Sequence, residues 1–114
     1  MKKIADNSRS SYDYLISEKV EAGLVLTGAE VKSLRINTGS IRSSYIIERD
    51  GELWLSNSYI KKYSNSNINY DPNRNRKLLI SKKQLNKISG LIKQGGLSIV
   101  PISLYFNEYG LAKL

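Results

Sequence analysis

The clearest hydrophobic periodicity in the chain lies in residues 81–96. The apolar residues recur at the three- and four-residue spacing of one helix face, and they are Leu85, Ile88, Leu91 and Ile92. Ser81 and Gln84 form a capping-box pattern at the start, and a pair of glycines ends the segment. The pattern predicts an amphipathic helix with lysines on its polar side.

A second, shorter helix is predicted over residues 28–36. Thr27 and Glu30 have the spacing of a capping box, in which the threonine caps the first amides and the glutamate reaches back. Lys32 and Arg35 are three residues apart, which places both on the same side of the helix. The helix would therefore present two cations together.

A β-hairpin is predicted where two partly alternating segments, residues 45–49 and 52–56, flank Asp50-Gly51. This dipeptide supplies the positive φ angles that a two-residue hairpin turn requires.

Three further segments, residues 12–26, 78–80 and 97–106, are predicted as strands because they are rich in apolar, β-branched and aromatic residues. Asp71-Pro72, at the end of a long polar loop, predicts one helical turn through the arginines that follow. Residues 107–114 have the pattern of a hairpin turn and the start of a return strand. A strand edge left unpaired there would be a liability, so we expect the native protein to continue past Leu114.

Short strands with helices at the openings indicate a mainly β fold with accessory helices. Among folds of this size, an OB-type antiparallel β-barrel with about three short helices fits the order of elements. The 114 residues predict a single domain, 1–114, long enough to bury a core without covalent crosslinks.

Composition narrows the possible chemistry. The chain has no cysteine and no histidine, which excludes disulfides, thiolate metal sites and the commonest general base. The chain has no phosphate-binding glycine loop, and its carboxylates are scattered. We therefore expect no enzymatic activity, no cofactor and no metal. Without a long apolar run or a signal-peptide core, we also expect a cytoplasmic protein that does not bind membranes. Separately, we expect it to be a monomer.

Positive charge is concentrated in one part of the chain. Residues 61–93 contain nine Lys or Arg and one acid, Asp71, so this segment carries the whole formal net charge of +8. Such a segment is typical of a surface that meets a polyanion, and nucleic acid is the favoured partner. A solvated face that only aids solubility is the alternative.

Three ordered blocks carry a resemblance to a known family: "YDYLISEKVEAGLVLTGAEVKSLR", "DPNRNRKLLISKKQL" and "GLSIVPISLYF". Over about residues 7–106 they resemble the tmRNA-binding SmpB proteins, also called SsrA-binding proteins. The resemblance implies an OB-type barrel that binds the tRNA-like domain of tmRNA at the elbow formed by its D-loop. It also implies entry into the decoding region of the small subunit of stalled bacterial ribosomes. There the complex supports trans-translation, which rescues the ribosome and tags the unfinished protein for degradation.

With RNA as the partner that the resemblance implies, Arg74, Arg76 and Lys77 are predicted to face its phosphates, while residues 78–80 anchor the segment in the barrel. Because Arg74 and Arg76 are two residues apart, the alternative is that the two do not face one ligand.

The resemblance also extends the set of candidate RNA-binding residues. Glu21 and Arg35 match family positions that bind tmRNA, and Leu79 matches a family leucine linked to RNA binding. Asn7 and Arg9 match the family's N-x-R start. The complete predicted set is Asn7, Arg9, Glu21, Lys32, Arg35, Arg74, Arg76, Lys77, Leu79 and Lys82.

Alternatives remain for several of these residues. Glu21 could orient Arg35, accept a hydrogen bond from RNA, or form an ordinary surface ion pair. A role in the core would explain Leu79 equally well. Most of the tyrosines are expected to pack, and at most one or two to stack on bases.

The sequence also departs from the family. Ser11 stands where the family usually has a basic residue, and the family's Lys/Arg-rich C-terminal tail does not occur in these residues. We expect this chain to bind tmRNA without completing ribosome rescue. The competing interpretations are a general single-stranded nucleic-acid-binding OB-fold protein and a structural protein that contacts only ribosomal RNA.

Overall fold

The structure is a computed structural model that describes residues 2–7, 18–36, 39–63, 70–95 and 98–114. Within these residues lie seven strands and two helices. In chain order they are β1 (Lys2–Asp6), β2 (Gly23–Leu24), α1 (Gly28–Ile36), β3 (Tyr45–Arg49), β4 (Glu52–Ser56), β5 (Arg76–Leu79), α2 (Lys82–Gln94), β6 (Ser103–Phe106) and β7 (Ala112–Lys113).

The strands form one curled antiparallel sheet in the order β1-β6-β7-β2-β5-β4-β3. The chain is therefore mainly β, with its two described helices accessory to the sheet. In the pairing between β2 and β5, Gly23 lies opposite Leu79. A methyl group added at Gly23 would approach the Leu79 Cβ to 3.2 Å, so the glycine permits this close pairing.

Alternation along the strands separates a core side from an outer face. Leu53 and Leu55 of β4 are buried and Trp54 between them is partly exposed; Leu104 and Phe106 of β6 are likewise buried. We call the opposite side of the sheet the outer face; it carries Trp54, Lys77, Leu79 and Tyr105. Among the described residues, the core contains Ile4, Ala22, Leu24, Ala29, Leu34, Ile41, Leu53, Leu55, Ile60, Tyr70, Leu78, Leu104 and Phe106.

Both predicted helices are confirmed. Helix α1 spans the predicted residues 28–36, and its capping box forms: the Thr27 amide donates to Glu30 Oε1 at 2.9 Å, and the Glu30 amide donates to Thr27 Oγ1 at 3.2 Å. In α2, the Ser81 hydroxyl caps the Gln84 amide at 3.2 Å, and Gly95 ends the helix with a φ of 73°. The apolar face of α2 packs against the core through half-buried residues, namely Leu85, Ile88 and Ile92.

The β3–β4 hairpin is confirmed with the predicted strand bounds. Asp50 and Gly51 have φ angles of 55° and 75°, as the predicted two-residue turn requires.

The predicted strand over residues 12–26 is largely wrong within the described part. Residues 12–17 lie outside the described residues, and of residues 18–26 only Gly23–Leu24 is a strand. Backbone pairing extends one residue to each side, because Ala22 exchanges two 2.8 Å hydrogen bonds with Leu114 and the Val25 amide donates to the Lys77 carbonyl at 2.9 Å. The segment changes partner strands over these few residues, which limits the length of regular pairing.

The predicted helical turn after Asp71 is also wrong, because these residues form a β-turn instead. The Asp71 carboxylate accepts a hydrogen bond from the Asn73 amide at 2.9 Å, and the Asp71 carbonyl accepts one from the Arg74 amide at 3.1 Å. The chain then enters β5. The described residues therefore contain two helices where about three were expected.

The C-terminal residues form the predicted return strand, but no unpaired edge results there. Strand β7 pairs with β6 on one side and with β2 on the other. The edge strands of the described sheet are instead β1 and β3. No described helix has the length and hydrophobicity needed to cross a membrane.

Candidate nucleic-acid interface

A buried carboxylate, Glu30, organises the charged residues in the middle of the molecule. Its side chain is 0% exposed and lies at the first turn of α1. Two arginines from the β5 region reach it: Arg74 donates from Nε at 3.0 Å and from Nη2, and Arg76 donates from Nε at 2.8 Å. One glutamate therefore joins the start of α1 to the segment leading into β5.

Arg76 is fully enclosed, with 0% of its side chain exposed. Its remaining donors reach the Ser58 hydroxyl at 2.9 Å, the Pro72 carbonyl at 3.0 Å and the Arg74 carbonyl at 3.2 Å. The prediction that Arg76 faces RNA phosphates is thus at odds with its position. Because a planar guanidinium carries five donors in a fixed fork, it satisfies several buried acceptors at once.

The protonation of this cluster follows from its hydrogen bonds. Burial alone would raise the pKa of Glu30, but donors from Arg74, the Thr27 amide and Arg76 together hold this pKa below its ordinary value of 4.5. Burial lowers the pKa of Arg76 although Glu30 opposes that shift. An arginine starts from so high a pKa that the guanidinium remains charged. Both groups are ionised at neutral pH.

Arg74 occupies an intermediate position, since 30% of its side chain is exposed. Besides Glu30, it donates to the Asn75 carbonyl at 3.2 Å and to the Val25 carbonyl at 3.4 Å. A ligand could reach its outer edge, but most of its donors already have partners in the protein.

The cations of α1, in contrast to the arginines around Glu30, are exposed to solvent. Lys32 and Arg35 are both exposed, and neither forms an ion pair among the described residues. The Arg35 guanidinium lies over the Phe106 ring, with Cζ 5.7 Å from the ring centroid. It also lies close to Gly110 in the β6–β7 turn. The aromatic ring fixes the position of the guanidinium while leaving its donors for a ligand.

Glu21 is exposed and accepts a hydrogen bond from the Tyr105 hydroxyl, across β7 on the outer face. Burial of the hydroxyl, together with Glu21, raises the pKa of Tyr105 to about 12, so the phenol remains a donor at neutral pH. The idea that Glu21 orients Arg35 is not supported. Tyr105 and Phe106 are neighbours on β6 and point to opposite sides of the sheet, so Glu21 and Arg35 lie on different sides.

Two further predicted residues share the outer face with Glu21. The Lys77 ammonium is 3.8 Å from Glu52 Oε1, and both side chains are about 40% exposed. Leu79 is 54% exposed, so the alternative of a core role for Leu79 is wrong; its neighbour Leu78 is the buried one. RNA contact by these residues stays a prediction.

The remaining predicted residues lie elsewhere. Asn7, at the end of β1, donates from Nδ2 to the Pro101 carbonyl at 3.1 Å. Lys82 is exposed at the start of α2. Arg9 lies outside the described residues. The predicted set is therefore divided among an interior cluster, the exposed side of α1, the outer face and the periphery of the sheet.

Sequence reasoning missed Tyr105 and Phe106 as partners of predicted residues. Tyr105 is 84 positions from Glu21, so no local spacing connects them. The two-residue period of a strand was the available signal, because it puts Leu104 and Phe106 on one side of residues 103–106 and Tyr105 on the other, and the structure buries Leu104 and Phe106. Among the described side chains, no group of three or more His, Cys, Asp or Glu could hold a metal ion.

Comparison with known proteins gives consistent matches along the chain. The family model described as SmpB protein matches residues 4–114. An SsrA-binding protein of Bartonella henselae is 51% identical over 114 residues, which cover 99% of this chain and 72% of that protein. An SsrA-binding protein of Wolbachia pipientis is 46% identical over 114 residues, which cover 99% of this chain and 76% of that protein.

A solved structure described as "tmRNA-SmpB: a journey to the center of the bacterial ribosome" contains a similar chain. It is 47% identical, with a TM-score of 0.74, and the match covers 95% of this chain and 76% of that one. The family model spans nearly all of the sequence, and the relatives exceed 45% identity over almost its full length. The chain therefore belongs to the SmpB protein family.

Proposed function

We propose that this chain binds the tRNA-like domain of tmRNA and takes part in trans-translation on stalled bacterial ribosomes. The proposal is based on one observation: 95% of this chain matches a chain of the solved structure whose description names tmRNA, SmpB and the bacterial ribosome. The match and the family membership support tmRNA and the ribosome as partners, and within the ribosome we propose the small-subunit decoding region.

The proposed tmRNA surface has two parts. One is the exposed side of α1, where Lys32 and Arg35 present cations beside the β6–β7 turn. The other is the outer face around Glu21, Lys77 and Leu79. A folded RNA elbow offers phosphates to the cations, and 2′-hydroxyls and splayed bases to the polar and apolar groups. The RNA would extend from α1 around the end of the sheet.

Arg76 takes a different role in this proposal, that of a positioning residue. Through Glu30 it holds the first turn of α1 against β5, and so it fixes where Lys32 and Arg35 stand relative to the outer face. Arg74 contributes to the same link and can present its exposed edge to RNA.

The proposed architecture is an OB-type barrel in which residues 1–114 act as one RNA-binding domain. The curled antiparallel sheet supports this assignment, although its end strands β1 and β3 do not pair with each other in the described residues. Because translation takes place in the cytoplasm, the proposed function implies a cytoplasmic location. We also propose that the chain is a monomer.

The test is the affinity of the chain for the tRNA-like domain of tmRNA and for alanine tRNA, measured across a salt series. We expect preferential binding to the tmRNA domain, and we expect Arg35→Ala to weaken it about tenfold, since a charge-assisted hydrogen bond is lost. Arg42→Ala is the matched control, because Arg42 is an exposed arginine in a turn outside the proposed surface.

Salt dependence and competition distinguish the proposal from its alternatives. The slope of log K against log salt is negative, and loss of one phosphate contact should reduce its magnitude by about 0.7–0.9. Equal, weak binding to both RNAs that disappears as salt rises would contradict the proposal. Efficient competition by poly-U would favour a general single-strand-binding protein instead.

A further inference from the structure

The β3–β4 hairpin carries a cleft that is lined by none of the side chains assigned above to tmRNA, although its Trp54 shares the outer face with Lys77. The cleft has a volume of about 280 Å³ and is lined by Arg49, Asp50, Trp54 and Asn75. Pockets that hold small molecules typically measure roughly 300–1,000 Å³, so this cleft accommodates one planar ring system and not a large cofactor.

Trp54 supplies the flat wall of the cleft. It lies on the outer face between the buried Leu53 and Leu55, and it is partly exposed. Its indole Nε1 donates to the Arg49 carbonyl at 3.3 Å. This bond satisfies the polar atom of the ring and fixes its orientation, so the π face is what remains for a ligand.

The polar lining is held in place by the hairpin. Asp50 lines the cleft from the first position of the two-residue turn, where a φ of 55° sets the backbone that carries its carboxylate. Asn75 Oδ1 accepts from the Ser56 hydroxyl at 2.6 Å, so the amide NH2 group of Asn75 is left as a donor. Among the described residues, neither Arg49 nor Asp50 forms an ion pair.

The charges around the cleft indicate which part of a nucleotide would bind. The formal charges of Arg49 and Asp50 cancel, and the neighbouring Lys77 lies 3.8 Å from Glu52 Oε1, so the cleft carries no net positive charge to attract a phosphate. A neutral aromatic ring with hydrogen-bonding edges fits better. Carboxylates accept hydrogen bonds from exocyclic amino groups of bases, and asparagine and arginine donate to ring nitrogens and carbonyl oxygens.

We propose that this cleft binds one unpaired nucleobase of RNA, stacked on Trp54, with an exocyclic amino group directed at Asp50. Adenine, cytosine and guanine carry an exocyclic amino group on their Watson–Crick edge, and uracil carries none. The inference relies on the proposed function only for RNA being the natural partner. It gives the hairpin a contact separate from the α1 surface.

The test uses the fact that Trp54 is the only tryptophan in the chain. Intrinsic fluorescence is titrated with hexamers of A, C and U at low salt, and with the tRNA-like domain of tmRNA, while a gel shift reports overall binding. We expect quenching with oligo-A and oligo-C and little with oligo-U. Trp54→Ala should weaken oligo-A binding about five- to a hundredfold, because stacking on the ring is lost.

Two variants complete the experiment. Tyr45→Ala removes an exposed aromatic at the other end of the same hairpin and should leave oligo-A affinity unchanged. Asp50→Asn keeps a turn-compatible residue and should reduce the preference for A and C over U. Circular dichroism checks that each variant is folded.

The outcomes separate this inference from the proposed function. Binding of the tmRNA domain in the gel shift, with Trp54 fluorescence unchanged by every RNA, would overturn the cleft and leave the proposed function standing. Quenching by oligo-A without any binding of the tmRNA domain would support the cleft and contradict the proposed function. Equal quenching by all three hexamers would overturn the role given to Asp50.

Discussion

Arginine meets two contrasting environments in this molecule, at Arg76 and at Arg35. Arg76 is 0% exposed, and its guanidinium donates hydrogen bonds to Glu30, Ser58 and backbone carbonyls. Arg35 is exposed and rests on the Phe106 ring with no ion-pair partner among the described residues. The first is part of the fold and the second is free to meet a ligand. A basic segment therefore does not by itself identify the residues that contact a polyanion.

The difference is one of desolvation. A buried ion pair is stable only when good geometry and further hydrogen bonds offset the cost of removing both charges from water. The Glu30 cluster meets that condition, since no buried side-chain polar atom among the described residues lacks a partner. An exposed arginine does not need such partners for stability, so its N–H groups can donate to phosphate oxygens in place of water at little cost to stability.

The largest expected effect is on the buried side of the comparison. Glu30→Gln removes the negative charge and leaves two arginines facing a neutral amide, which should lower the free energy of unfolding by about 3–5 kcal/mol. Urea denaturation measures this change. Glu52→Gln is the control, because its 3.8 Å pair with Lys77 is exposed and should change stability by less than about 1 kcal/mol. Equal losses in the two variants would refute the special role of Glu30.

A change at the exposed Arg35 should affect RNA binding more than stability. Arg35→Ala should cost less than about 1 kcal/mol of stability, through its lost contact with Phe106, while reducing affinity for the tmRNA domain about tenfold. Thermal unfolding and RNA binding are measured on the same sample. A large loss of stability without a loss of RNA affinity would place Arg35 with the structural arginines.

A smaller effect concerns the loss of stability at acidic pH. The Glu30 pKa lies below 4.5 in the folded chain, so the unfolded chain takes up the proton first as the pH falls. The stability contributed by Glu30 is therefore complete above pH 4.5 and is lost as the pH falls through the folded pKa. The wild-type chain should lose stability more steeply below pH 4.5 than Glu30→Gln does, as followed by urea denaturation at several pH values. Parallel curves would show that Glu30 does not titrate as described.

The smallest effect tests the outer face. Glu21 contributes to the raised Tyr105 pKa of about 12, so Glu21→Gln should bring that pKa closer to the ordinary value of 10.0. The Tyr105 ¹³Cζ resonance followed by NMR across alkaline pH reports the change. An unchanged pKa would mean that burial of the hydroxyl alone accounts for the shift.

Much of this fold could be predicted from sequence because its signals are local. The Thr27–Glu30 capping box, the Ser81 hydroxyl that caps the Gln84 amide and the Asp50-Gly51 turn each involve residues within three positions of one another, and all three occur in the structure. The partners of Arg76 are not local, since Glu30 is 46 positions away. A residue's exposure depends on such distant partners, and so the buried and exposed arginines could not be distinguished beforehand.

The same limit applies to the strand predicted over residues 12–26. Its composition favours β structure, but the described part changes between the partners β5 and β7 around Gly23. Propensity indicates that a segment prefers extended backbone, and tertiary pairing decides how many residues join a ladder.

The most direct test of the account is arginine-selective labelling with phenylglyoxal, read by mass spectrometry with and without the tRNA-like domain of tmRNA. We predict that Arg35 is labelled in the free chain and protected by the RNA, that Arg42 is labelled in both states, and that Arg76 is labelled in neither. Labelling of Arg76 in the free chain, followed by its protection in the complex, would contradict the division between a structural and an RNA-binding arginine.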